Sequence, residues 1–146
     1  MPNSEDVYLE ARRWVGTPYH HQGRTFQRSC DCIGLVIGVA RALGLRCPAD
    51  RDLPNYAESP HDGVAERTAS ELMAPARGEI QAGQVGLFWY RDRGHGQHFA
   101  IFAPFGHRLT MIHAYMRIGQ VVEAGVSDFW RKRLIRAYTY RGITDA

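Results

Sequence analysis

Apolar residues change their spacing midway along this chain, and that change constrains the fold more than any other feature. In the first half they fall at helical intervals. Leu35, Val36, Val39, Ala40 and Leu43 recur at i, i+1, i+4, i+5 and i+8, which predicts a helix over about 32–43 with Gly44 as its stop. Asn3 or Ser4 can cap an earlier helix, with Glu5 and Asp6 in its acid-favoured first turn and Gly16 and Pro18 ending it. A third, weaker helix is expected over 65–74, closing near Pro75. After Gly78 the runs turn β-branched and aromatic: 85–90, 98–103, 109–115, 120–124 and 135–140, with Gly or charged turns between. Helices first and strands later predict an α+β fold with an antiparallel sheet. Residues 17–30 and the proline-bearing stretch 45–64 read as loops.

A chain of 146 residues is one domain by default, here 1–146. All but one of its 18 basic residues are Arg, Lys132 being the exception, yet the net charge is only +3. The one basic cluster, Arg131-Lys132-Arg133 with Arg136, is too small for the stripe of a nucleic-acid binder, so no nucleic-acid partner is expected. Three cysteines argue against a disulfide framework and for reduced thiols. The polar, acidic N-terminus lacks the features of a signal peptide, and no apolar run reaches membrane-spanning length. Synthesis in the cytoplasm without membrane insertion is expected.

Cys32 sits where polar residues give way to the second helix. Unpaired N–H groups and the macrodipole there favour negative charge, so a lowered thiol pKa is expected. His98 opens one strand run and His113 lies in another. A thiol, a base and a group that orients the base are what attack on an amide carbonyl needs. Each residue also has a plainer reading, Cys32 as a structural thiol and the histidines as satisfied core residues. Zinc is a rival use: Cys30-x-Cys32 with His95-x-x-His98 offers four donors, but the Cys spacing is tighter than usual and no second pair follows. No metal and no cofactor are expected. His20 and His21 read as solvated or substrate-lining, and His61 and His107 as surface residues.

Trp14-Val15-Gly16-Thr17-Pro18-Tyr19, then Asp31-Cys32-Ile33-Gly34-Leu35-Val36, then His98-Phe99-Ala100-Ile101-Phe102, then Ile112-His113-Ala114, resemble in order the NlpC/P60 family of cysteine peptidases. Tyr19-His20-His21-Gln22 and the ending Phe129-Trp130-Arg131-Lys132-Arg133 resemble more narrowly the stand-alone members from phage tails and gene transfer agents. The resemblance implies a papain-like fold, N-terminal helices packed on a five- to six-stranded antiparallel sheet. It implies Cys32 as nucleophile, His98 as base and His113 as the residue orienting it. It implies Tyr19 as an aid to the oxyanion and Asp31 as an acidic residue near the substrate's amine end. The substrate implied is bacterial peptidoglycan, cut in the stem peptide between D-γ-glutamate and diaminopimelate. A tail-tip or baseplate hub is the implied partner, and a virion or particle tail the implied location. The alternatives are a structural tail component with weak or lost activity, and a related cysteine amidase or acyltransferase. Two departures stand out. Ile33 replaces the usual Ser after the nucleophile, and the gap from His98 to His113 is lengthened around 104–108.

Overall fold

A computed structural model describes residues 1–45, 56–58, 60 and 62–145. Cys47 and His61 lie outside the described residues, as does most of the 45–64 stretch. Helix α1 (Ser4–Arg13) starts at a reciprocal capping box. The Asn3 side chain accepts from the Asp6 N–H, and the Asp6 carboxylate accepts from the Asn3 N–H, both at 2.9 Å. The stretch expected as loop carries a small ribbon instead, β1 (Arg24–Thr25) against β2 (Ser29–Cys30). Helix α2 (Cys32–Ala42) follows, buried along almost its whole length. Gly44 ends it at φ +66°, a conformation that costs glycine little.

Helix α3 (Val64–Leu72) stops earlier than its apolar pattern predicts. Residues Met73–Pro75 leave it as strand β3, because pairing with the last strand of the chain satisfies their backbone. Strands β4 (Val85–Phe88), β5 (His98–Phe105), β6 (Arg108–Tyr115) and β7 (Gln120–Gly125) fall where the runs predict. A four-residue helix α4 (Asp128–Arg131), not anticipated, precedes β8 (Leu134–Tyr140). The six strands form one antiparallel sheet in the order β3-β8-β4-β5-β6-β7. The lengthened gap between the two histidines is a long hairpin, paired out to Phe105 and Arg108 around Gly106 and His107.

Alternation along the strands splits the interior in two. Phe99, Ile101, Ala103, Ile112 and Ala114 join α1, α2 and α3 in the main core. Ala100, Phe102 and Met111 face the other way, onto Phe88 and Trp130. Helix α2 is tied to the sheet by the Tyr140 hydroxyl, which donates to the Val36 carbonyl at 2.6 Å. Its two glycines set its position. A Cβ on Gly34 would collide with the Gly23 carbonyl, and one on Gly38 with the Trp14 indole. Arg12 clamps α1 to β7 through Glu123 at 3.0 Å, and Glu123 also accepts from Thr110 at 2.6 Å. Among the described residues no helix is long and apolar enough to cross a membrane.

Candidate active site

Cys32 is the first residue of α2, and Asp31 is its N-cap. The Asp31 carboxylate accepts from the Gly34 N–H at 2.8 Å, the Gln22 N–H at 2.7 Å, Arg24 at 3.0 Å and the Tyr56 hydroxyl. Buried and so engaged, it braces the first turn of α2 and is not among the residues lining the cleft that holds Cys32. Asp31 takes the Gly34 N–H, which leaves the Cys32 N–H of the first turn free of that cap.

His98 opens β5. Continuing the β5–β6 register from Ile101↔Ile112 puts His113 opposite Ala100, diagonal to His98 on the same face. Their rings meet: His98 Nε2 lies 2.7 Å from His113 Nδ1. With Nε2 so occupied, Nδ1 is the nitrogen that His98 can offer to a thiol. Cys32, on the helix side, and His98, on the opposite face of the sheet, line one cleft at the end of β5. That cleft is also lined by Tyr19, Tyr90, Tyr115 and Trp130, among others.

The electrostatics correct one expectation. Burial, with the Asp31 charge adding to it, pushes the Cys32 thiol up to about 12, against a weaker opposing hydrogen bond from the Phe99 backbone. The Asp31 carboxylate that caps this helix terminus adds its negative charge beside the thiol. Burial also holds His98 well below its ordinary value, with His113 adding to the effect, and lowers His113 to about 4. The resting pair is therefore thiol and neutral imidazole. Burial and the nearby Cys32 and Asp31 raise Tyr19, so its hydroxyl remains a proton donor to the cleft.

Several cleft residues carry no signal of their own in the sequence, Trp130 entering there only within the narrower motif. Trp130, brought in by α4, lies nearly parallel to His98, with ring centroids 4.5 Å apart and planes 20° apart. Tyr115 stacks on His113 in the same way, at 5.4 Å and 18°. Gln97 Oε1 accepts from three successive backbone N–H groups, those of Tyr90, Arg91 and Asp92, at 2.8–3.0 Å. That fixes the wall next to His98. Of the other histidines, His21 reaches the Tyr56 carbonyl at 2.7 Å, and His95 is joined to Asp92 at 2.8 Å. The residues of the zinc alternative do not converge: among the described residues no three His, Cys, Asp or Glu side chains gather at metal-binding distance. Cys30 is buried in the main core.

No family model and no curated protein matches the chain. Solved structures do. An NLP/P60 family protein from Staphylococcus aureus, described as similar to lipoprotein, is 23% identical over 93% of this chain, with a TM-score of 0.63. The chain spans 40% of that protein's length. The NlpC/p60 domain of the peptidoglycan hydrolase SagA is 23% identical over 94% of this chain and 98% of its own, with a TM-score of 0.62. An N-acetylmuramoyl-L-alanine amidase from Bacteroides uniformis is 12% identical over 94% and 98%, with a TM-score of 0.67. The chain thus has the α+β fold of NlpC/P60 proteins, with Cys32, His98 and His113 where its helix, sheet and cleft meet.

Proposed function

We propose that the protein is a cell-wall hydrolase, a cysteine peptidase acting on peptidoglycan stem peptides, with the D-γ-glutamyl–diaminopimelate bond as its target. The observation that carries this reading is the Cys32 thiol sharing a cleft with an imidazole whose far nitrogen is held by His113. Because thiol and imidazole rest neutral, His98 Nδ1 takes the Sγ proton as sulfur attacks the carbonyl carbon. The Cys32 N–H and the Tyr19 hydroxyl are the donors for the oxyanion. Collapse breaks the C–N bond, His98 returns the proton to the leaving amine, and a thioester remains on Cys32. Water activated by His98 then releases the acid and restores the thiol.

Digestion of diaminopimelate-type peptidoglycan by wild type and Cys32→Ala, with products identified by mass spectrometry, tests the assignment. Wild type should release stem-peptide fragments and the variant none. Equal release by both overturns it. A second reading, a cysteine amidase, is favoured by the likeness to the Bacteroides uniformis amidase. It predicts intact stem peptides freed from the glycan as the products.

The narrower motif likeness supports carriage on a phage-like tail or gene-transfer-agent particle through a tail-tip or baseplate hub. Purified particles should contain this chain by mass spectrometry, and its absence from them counts against carriage.

A further inference from the structure

Helix α4 is four residues long, too short to hold itself together, yet it carries Trp130 onto His98. The Tyr90 ring also stacks on the indole, at 5.9 Å and 23°. Arg133 joins this turn to the sheet. Its guanidinium lies 3.7 Å from the centre of the Phe129 ring and 4.4 Å from that of the Trp89 ring. Nη1 donates to the Phe129 carbonyl at 2.9 Å, and Nε lies 3.5 Å from the Tyr90 carbonyl. The Arg133 backbone takes part as well. Its N–H donates to the Trp130 carbonyl at 2.9 Å, and its carbonyl accepts from the Trp89 N–H at 3.0 Å. Among the described residues Arg133 makes no ion pair. Its contacts run instead to the residue before Trp130 and to the two residues that follow β4.

We propose that Arg133 is a positioning residue for the base: by locking α4 against the end of β4, it sets the Trp130 indole over the His98 imidazole. A planar guanidinium can lie against aromatic rings and still donate to a carbonyl from its edge. A lysine ammonium offers a point charge without that fork. Arg133 is not among the residues lining the cleft, so its effect on His98 passes through Trp130. Positive charge develops on His98 only as the thiol proton moves, so a displaced indole should be felt in kcat more than in KM. That kinetic consequence rests on the hydrolase reading; the placement of Trp130 does not.

The His98 ring protons, followed by NMR in histidine-labelled protein, sense the indole face directly. Arg133→Ala, shown to be folded by circular dichroism, should move them toward the positions they take in Trp130→Leu. Arg133→Lys, which keeps the cation and loses the fork, should move them part of the way, and it carries the test alone should the alanine variant not fold. His98 signals unmoved in the folded variant overturn the proposal. On a stem-peptide substrate Arg133→Ala should lower kcat about fivefold with KM little changed, and by less than about twofold in the Trp130→Leu background. Equal losses in the two backgrounds overturn action through Trp130. Moved His98 signals in a protein whose wild type cuts no stem peptide leave the positioning role standing and remove the hydrolase reading.

Discussion

His98 Nε2 and His113 Nδ1 are 2.7 Å apart, and the contact joins two buried, neutral rings. If Nδ1 of His98 is to accept the thiol proton, Nε2 carries the ring's hydrogen and donates it to His113 Nδ1. His113 then carries its own proton on Nε2. That tautomer pair also suits the imidazolium formed during reaction, because the donor nitrogen is unchanged. What His113 supplies is an acceptor at a fixed place, not a charge. His113→Asn, which keeps an acceptor, should hold kcat within about tenfold of wild type. His113→Ala should lower it by roughly 10²-fold, the low end of what a misplaced base costs. Steady-state kinetics on a stem-peptide substrate checks the contrast, and similar losses in both variants would remove the acceptor role.

The same burial gives an acid-sensitive fold. A histidine held at about 4 when folded and near 6.5 when unfolded binds its proton in the unfolded chain first. As pH falls from about 6.5 toward 4, the unfolded state gains protons that the folded state does not, so stability drops across that window. For His113 the loss is of order 3 kcal/mol, with His98 acting in the same direction. Glu123, lowered chiefly by its Arg12 hydrogen bond, adds a further loss as pH falls below the ordinary carboxylate range. Urea melts at pH 7 and pH 4.5 should show the drop, and His113→Asn should flatten it. An unchanged pH slope in that variant would count against this origin.

Trp130 faces His98 at 4.5 Å with nearly parallel planes. Among the described residues no carboxylate forms an ion pair with His98, so positive charge forming on it during proton transfer would meet an indole π face. A desolvated interaction of that kind is worth roughly 2 kcal/mol. Trp130→Phe keeps a π face and should stay within a few fold in kcat. Trp130→Leu should lose about ten- to thirtyfold in kcat with little change in KM. It also removes a buried aromatic, so the rates are to be read below its melting transition. Equal kcat for the two variants would leave Trp130 as packing alone.

What the sequence conveys about this site divides along physical lines. Cys32, His98 and His113 are legible because each is a reactive side chain in a periodic element, the first two at its start and His113 within it, and periodicity places them. Asp31 is legible as the residue beside Cys32. Its buried carboxylate, shared among Gly34, Gln22, Arg24 and Tyr56, is tertiary and leaves no trace in spacing. Trp130 falls in a motif, but its contact with His98 joins residues distant in sequence, and Gln97 acts on loop backbone; no local pattern encodes either contact. The short elements β3 and α4 are hidden for a related reason. β3 exists through pairing with β8, and α4 is a single turn capped by Ser127. The expected low thiol pKa fails first through the burial of Cys32 and then through the Asp31 charge beside it, and burial is not conveyed by spacing.

That failure can be tested on Cys32 itself. The thiol is pushed up to about 12 by burial and then by the Asp31 charge, and ionisation without substrate has to overcome both. Alkylation of the free protein by iodoacetamide should therefore be slow at pH 7 and keep rising to at least pH 10. An activated thiolate would instead level off near neutrality. Asp31→Asn removes one of the two opposing effects, so labelling of Cys32 at a given pH should quicken. The same change leaves Arg24 without its buried counter-charge and weakens the cap of α2, costing about 3–5 kcal/mol of stability. The two effects separate by peptide mapping of the labelled cysteine in protein shown to be folded by circular dichroism. Rapid labelling of wild-type Cys32 at pH 7, matching that of a thiolate, would show that the cleft lowers the thiol pKa and would restore the helix-terminus account.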